Sequence, residues 1–404
     1  MLVTLVGLGC GTSATMTAEG LEALRQADCV IGAGRLLAAL PEDLGGERRE
    51  AVRPAEIMEI LTACGAERPC VAYSGDTGFY SGARTLLPLL EAQGISARVL
   101  PGISSVQLLA ARLGRPWQDW KLCSAHGTAC DPVTAVMEDR PAFFLTGGAL
   151  GPGDLCRQLA EAGLGELPVT VGEELSYPQE RIVQGTAAEL AGQRFAPLSV
   201  LLAEAAPRPF PPRAAGFSDE TFLRDRVPMT KQEVRAALLG KLAVRPEDTV
   251  WDVGAGTGSV SVELARAACR GRVFAVECQA EACDLIRRNR ERFGAWNLRL
   301  IEGRAPEALE ALPTPDAVFI GGTKGNMEPV LDVALAKNPN ARICVSAIAL
   351  ETLSAAVSAL TARGLTAEVA QIGVSRTKPA GKLHLLMANN PVFLISAGPS
   401  EAEL

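Results

Sequence analysis

Asp252, Gly254, Gly256, Gly258 and Glu277 are the residues whose types and spacing point most directly to chemistry. The run Trp251-Asp252-Val253-Gly254-Ala255-Gly256-Thr257-Gly258 joins a predicted strand to a predicted helix. Without a Cβ, the backbone there can approach a ligand closely. Glu277 closes the next predicted strand, 19 residues after Gly258, where a carboxylate can accept from ribose hydroxyls. A dinucleotide is the rival ligand, and a plain turn followed by a surface acid is the bland alternative. The glycines run GxGxG and not GxGxxG, and the acid ahead of them would repel a pyrophosphate but suit a cationic amino-acid cofactor. The combination favours S-adenosylmethionine. Further on, Glu302-Gly303-Arg304-Ala305-Pro306-Glu307 falls where such a fold wraps an adenine. A strand ending in Phe319-Ile320-Gly321-Gly322 follows. Enzymes that methylate nucleic-acid amino groups place a Pro-Pro-aromatic element there. Gly321 and Gly322 leave room for a bulky substrate or form a simple turn, and the residues favour neither.

The first half has three glycine-bearing loops: Val6-Gly7-Leu8-Gly9-Cys10-Gly11, Ser74-Gly75-Asp76-Thr77-Gly78 and Pro101-Gly102-Ile103-Ser104-Ser105. Each follows a predicted strand, and ligands of open α/β sheets collect outside the carboxyl ends of the strands. The three are therefore expected to form one pocket. Asp76 is the only carboxylate among them, and either meets the ligand or caps its turn through Thr77 and Gly78. His126, in Ser124-Ala125-His126-Gly127, is read as structural and not as a general base. Trp117 and Trp120 read as packing residues, and Glu173, Glu174 and Glu180 as a solvated loop around Ser176-Tyr177-Pro178.

The elements that must position these residues alternate between short β-branched runs and helical patterns, an α/β reading for both halves. Strands are predicted at 2–7, 69–73, 97–100, 142–145, 169–171 and 198–202, with helices over 18–28 and from about 106. The proline-dense segment from Ala205 to Arg213 cannot continue a helix or a central strand, so 204–215 is read as a stiff linker. Beyond it come helices over 231–241, 260–268 and 279–292, and strands at 249–253, 272–277, 299–301, 317–320 and 342–347. The resulting domains are 1–203 and 216–404, as a chain of 404 residues leads one to expect.

A net charge of −7 argues against a nucleic-acid footprint, which needs clustered lysine and arginine. A polyanionic small molecule would need only a local cationic patch. Arg376, Lys378 and Lys382, near Pro379-Ala380-Gly381, are the candidates, and a solvated basic loop accounts for them equally well. The 11 cysteines form no CxxC pair and suit a reducing, cytoplasmic setting. His126 and His384 are the only histidines and have no ligand-like spacing, so no metal site is expected. No stretch approaches the ~20 apolar residues that span a bilayer, and the start lacks the basic region of a signal peptide.

With these motifs placed, residues 1–203 resemble the tetrapyrrole methylase family, in its cobalamin-pathway branch that methylates C5. The matches are the VGLGxG start, 72–80, Pro101 to Gln107, and Gly172 to Ile182. Residues 216–404 resemble the companion class I, Rossmann-like methyltransferase that acts at C15 and decarboxylates, through Pro228-Met229-Thr230-Lys231, Trp251 to Gly258, Phe319 to Gly322 and Ala349-Leu350-Glu351. The fused order resembles the precorrin-6Y C5,15-methyltransferase (decarboxylating) family. The resemblance implies two α/β subdomains in the first half with S-adenosylmethionine folded between them, touched by Gly9, Gly75, Asp76, Thr77, Ser104, Ser105 and Thr146. For the second half it implies a further S-adenosylmethionine on Thr230, Gly254, Ala255, Gly256, Thr257, Gly258, Glu277 and Ala305. It also implies a precorrin substrate methylated at C5 and C15 with loss of the C12 acetate carboxyl, giving precorrin-8X, and a homo-oligomer. Three positions depart from the pattern: Cys10 for Pro, Thr77 within the usual Gly-Asp-Pro, and Arg304 for Asp. Two other functions compete, an RNA acceptor for one half, or a half that binds cofactor or tetrapyrrole without catalysis.

Overall fold

The computed structural model describes residues 1–41, 44, 46–126, 130–148, 150–210, 215–323 and 325–399. Gly127 and, within the expected linker, Pro211, Pro212 and Arg213 lie outside the described residues. The chain forms two compact units, one of Met1–Pro132, Arg140–Glu161 and Gly165–Ala205, the other of the remainder.

The first unit holds two sheets of five strands. In the first, β1 (Leu2–Gly7), β2 (Cys29–Gly32), β3 (Glu47–Glu50), β4 (Pro69–Tyr73) and β5 (Ser96–Leu100) run parallel in the order β3-β2-β4-β1-β5. Central β1 buries Val3, Leu5 and Val6, the continuous apolar run of a strand covered on both faces. The second sheet comprises β6 (Lys121–Ser124), β7 (Ala142–Leu145), β8 (Pro168–Glu173), β9 (Arg181–Thr186) and β10 (Ser199–Ala203). Its order is β6-β7-β10-β8-β9, antiparallel except for the β6/β7 pair. Helix Ala18–Gln26 is capped by the Thr17 hydroxyl, which accepts from Gly20 N at 3.0 Å. Helix Ser105–Leu113 starts where Ser104 N donates to Gln107 Oε1 at 2.8 Å.

The second unit is built on β11 (Thr249–Val253), β12 (Arg272–Glu277), β13 (Leu298–Glu302), β14 (Ala317–Ile320), β15 (Arg342–Ala347), β16 (Glu368–Ile372), β17 (Ser375–Ala380), β18 (Leu383–Ala388) and β19 (Val392–Ala397). Seven strands form one sheet, β13-β12-β11-β14-β15-β19-β16, parallel from β13 through β15 and antiparallel at β19 and β16. The parallel strands end on one edge, which brings the glycine turn after β11, Glu277 at the end of β12 and Gly321-Gly322 after β14 together. Strands β17 and β18 form a separate hairpin around Gly381 and Lys382. Pro379 and Ala380, read from the sequence as turn residues, are the last two residues of β17. Among the described residues no helix is long and apolar enough to cross a membrane.

Candidate active sites

In the second unit the edge of the sheet opens into a cavity of about 490 Å³. Thr230, Gly254, Ala255, Gly256, Thr257, Glu277, Ala305, Gly321 and Gly322 all line it. At Gly254 φ is +75°, and a Cβ would lie 2.2 Å from the Gly322 carbonyl oxygen, so the two loops meet backbone to backbone. Gly258 stands outside the lining, where it packs helix Ser259–Ala267 close to Ile286. The Glu277 carboxylate is buried and held in orientation. Oε2 accepts from Gly256 N at 2.9 Å, and Oε1 accepts from Cys278 N at 2.8 Å and Gln279 N at 2.9 Å. Lone pairs remain on it for a hydroxyl donor.

Asp252 departs from the sequence reading. It is fully buried on β11 and does not line the cavity. Its Oδ2 accepts from the Ser261 hydroxyl, while Oδ1 has no hydrogen-bond partner. Burial pushes this carboxyl up to about 7, with the Ser261 bond opposing and the Glu277 charge adding to the rise.

The cationic patch is also placed differently. Arg376 is taken by two carboxylates, Asp219 Oδ2 at 2.9 Å and Glu233 Oε1 at 3.0 Å, and this double pairing neutralises its charge. Arg376, Lys378 and Lys382 lie on the hairpin and line neither cavity. The cations at the second cavity are Lys231 and Arg304. Arg304 was visible in the sequence only as a departure, and Lys231 only as the end of the Pro-Met-Thr-Lys match.

A buried network, unforeseen from the sequence, fixes the cavity wall 227–231. Arg235 is fully buried, donates from Nε to Glu263 Oε1 at 2.9 Å and from Nη1 to Asp219 Oδ1 at 2.9 Å, and also donates to the carbonyls of Thr230 and Phe217. Asp219 Oδ1 accepts from Gln232 N at 2.9 Å as well. The guanidinium lies 4.6 Å from the centroid of Phe222.

The three glycine loops of the first unit do meet. Gly9 and Gly75 exchange backbone hydrogen bonds of 3.1 and 2.6 Å. Asp76 accepts from Gly78 N at 2.8 Å and from Gly102 N at 3.0 Å, so it caps its own turn and ties it to the third loop. Thr77 is buried and donates to Leu100 O at 3.1 Å. Beside these loops is a cavity of about 430 Å³ lined by Gly75, Asp76, Ser104, Ser105 and Thr146, whereas Gly9 and Thr77 stand behind its wall. Thr146 donates its hydroxyl hydrogen to Ser199 O at 2.6 Å. Cys10 lines the cavity, and burial, reinforced by Glu180, pushes its thiol up to about 11, which keeps it protonated at neutral pH. Trp120 is buried and stacks on Phe143, as expected of a packing residue.

The loop around Tyr177 is not the solvated segment read from its glutamates. Glu173 is buried and accepts from Ala196 N at 2.8 Å, and Glu180 accepts from Ser176 N at 2.7 Å and pairs with Arg112. Tyr177 itself lines the cavity, with Tyr73, Tyr80 and His126. The Tyr73 hydroxyl is buried without a partner, and burial pushes it up to about 12.

Residues 2–191 match the tetrapyrrole (corrin/porphyrin) methylases, and residues 220–397 match the precorrin methyltransferase domain. A Precorrin-6Y C(5,15)-methyltransferase [decarboxylating] from Sinorhizobium sp is 33% identical over 386 residues, covering 94% of this chain and 92% of that protein. The chain belongs to the precorrin-6Y C5,15-methyltransferase (decarboxylating) family. It is therefore a methyltransferase, with S-adenosylmethionine as methyl donor. Part of the chain also matches shorter relatives. A probable cobalt-precorrin-6B C(15)-methyltransferase (decarboxylating) of Pyrobaculum calidifontis is 42% identical over 191 residues, 46% of this chain and 98% of that protein. A crystal structure named as precorrin-6Y C5,15-methyltransferase from Geobacter metallireducens GS-15 is 38% identical, covers 46% of this chain and 98% of that chain, and has a TM-score of 0.45.

Proposed function

We propose that this chain methylates precorrin-6Y at C5 in residues 1–203 and at C15 in residues 216–404, and removes the carboxyl of the C12 acetate, giving precorrin-8X in cobalamin biosynthesis. The observation that carries this reading is a cavity at glycine-loop strand ends in each unit of a chain collinear with a C5,15-methyltransferase. Each half would hold one S-adenosylmethionine, which supplies an electrophilic methyl group on sulfur. In the second half the residues present fit that group. The fixed Glu277 carboxylate would accept from its ribose, the backbone of 254–257 would lie along its amino-acid part, and Ala305 would flank its adenine. In the first half, Gly75, Asp76, Ser104, Ser105 and Thr146 would form the corresponding wall.

The attacking atom is an electron-rich meso carbon of the macrocycle, so the chain need not supply a nucleophile. Its task is to hold that carbon about 3 Å from the methyl group, in line with the departing sulfur. Gly321 and Gly322 would leave space for the ring. Lys231 and Arg304, in place of the hairpin cations, would pair with its peripheral carboxylates. Methylation at C15 places positive charge on the conjugated ring near the C12 acetate. Breaking the carbon–carboxyl bond returns an electron pair to the ring and releases carbon dioxide. Protonation of the resulting methylene leaves a methyl group, and the proton on the meso carbon is lost in exchange. No metal enters this scheme. The partner is the tetrapyrrole and not nucleic acid, in a cytoplasmic homo-oligomer. The exposed side chains of Leu383, Leu385, Leu386 and Met387 on β18 support association of copies.

Glu277→Ala in the full chain tests the assignment. It leaves ribose hydroxyls unpaired at a cost of about 1–3 kcal/mol, so calorimetry should show one S-adenosylmethionine site weakened and the other unchanged. The precorrin product should shift towards C5 methylation without carbon dioxide release. Two sites of unaltered affinity would refute it.

A further inference from the structure

The first unit's cavity contains one permanently cationic side chain among its described lining residues, Arg35, at the start of helix Gly34–Ala38. Many arginines of that unit are neutralised by a carboxylate. Arg98, Arg112, Arg115, Arg157 and Arg181 each pair with a carboxylate, whereas Arg35 pairs with none among the described residues and is held by a neutral phenol. Its Nη1 donates to the Tyr177 hydroxyl at 3.1 Å. Glu50 lies close by, against Gly34, but makes no ion pair with Arg35.

The residue before Tyr177, Ser176, is anchored by three hydrogen bonds. Ser176 Oγ donates to Cys10 O at 3.3 Å, Thr12 Oγ1 donates to Ser176 Oγ at 3.2 Å, and Glu180 accepts from Ser176 N. Gly11, at φ +97°, is what admits the ring, since a Cβ there would lie 1.9 Å from the phenol oxygen. The contact engages one nitrogen and leaves the other guanidinium N–H groups of this lining residue available as a planar, charged fork. That fork matches a carboxylate in two parallel hydrogen bonds. In a chain of net charge −7, a cavity arginine without an ion pair among the described residues keeps its charge for a ligand.

We infer that Arg35 binds a carboxylate side chain of the tetrapyrrole in the first unit's cavity, with Tyr177 as its positioning residue. The inference rests on the C5-methylating role proposed above for this half. It predicts that Arg35→Gln in the full chain raises the KM for precorrin-6Y in C5 methylation on the order of 10- to 100-fold, the loss of one charge-assisted contact. S-Adenosylmethionine affinity at both sites, kcat at saturating precorrin, and carbon dioxide release by the other half should stay as in the unaltered chain. Arg35→Lys, a point charge without the fork, should recover part of the KM, and Tyr177→Phe should raise it several-fold. Added salt should raise the KM of the unaltered chain more steeply than that of Arg35→Gln. An Arg35→Gln chain whose KM is unchanged, or whose cofactor affinity falls with it, would overturn the role of Arg35 alone. An unaltered chain that fails to methylate C5 would overturn the underlying reading and the inference with it.

Discussion

Arg235→Met will destabilise the second unit by about 3–5 kcal/mol, the usual cost of removing one partner from a buried ion network. Arg235 is fully buried between Asp219 and Glu263, both also buried. Without it Asp219 keeps Arg376, and Glu263 keeps the backbone N–H of Phe217, but each loses a buried, directly hydrogen-bonded charge. Burial raises the Asp219 carboxyl, and Arg235 and Arg376 outweigh it and hold the group below its ordinary range. A carboxyl depressed in this way stabilises the fold above its unfolded value of about 3.9, and the contribution is lost as pH falls through the folded value. The destabilisation should therefore be largest at neutral pH and shrink in acid, where the abandoned carboxylates take up protons. Arg235→Lys should restore only part, because a single ammonium cannot serve two carboxylates and two carbonyls from one plane. Urea unfolding of the full chain at pH 7 and pH 4 checks this. A midpoint that does not move at pH 7 would contradict it. The wall 227–231 hangs on the same guanidinium, so S-adenosylmethionine affinity in that unit should fall with stability.

Asp252→Asn is expected to act with the opposite sign at high pH. The Asp252 carboxyl titrates at about 7 in the folded chain because burial outweighs its bond to Ser261, and Glu277 adds repulsion. Its unfolded value is about 3.9. Between those values the unfolded chain gives up the proton and the folded chain keeps it, so stability falls as pH rises through this window and levels off above about 7. A rise of roughly three pH units corresponds to a swing on the order of 4 kcal/mol. The neutral amide does not titrate. The stability of Asp252→Asn relative to the unaltered chain should therefore improve by that order between pH 4 and pH 8. Thermal or urea unfolding across the range measures the difference directly, and a difference independent of pH would show that Asp252 ionises as freely when folded.

These two residues also mark where reading the sequence stops. The glycine turn after β11, Glu277 and Gly321-Gly322 could be placed in advance because each is a strand end followed by a turn, a local pattern. The predicted strands of both halves likewise coincide with β1, β4, β5, β7, β8, β10 and β11 through β15, with 198–202 starting one residue before β10. Strand β3, Glu-Arg-Arg-Glu, escaped because an exposed edge strand has no apolar alternation to reveal it. Arg235 reads as one polar residue of a predicted helix, and only folding brings Asp219 and Glu263 to it. Arg376 was taken for a substrate contact because the carboxylates that absorb its charge are 143 and 157 residues away in sequence. Asp252 shows the same limit from the other side. Its place before the glycines suggested a ligand contact, but its strand position turns it into the interior, towards Ser261.

The central claim is that two separate sites divide the chemistry, and residues 216–404 on their own test it most directly. Incubated with S-adenosylmethionine and precorrin-6Y and followed by mass spectrometry, they should give a product with one added methyl group and one carbon dioxide lost. Residues 1–203 should add one methyl group and release none. Methylation by 216–404 without decarboxylation, with the carbon dioxide appearing only when 1–203 is supplied, would contradict the account.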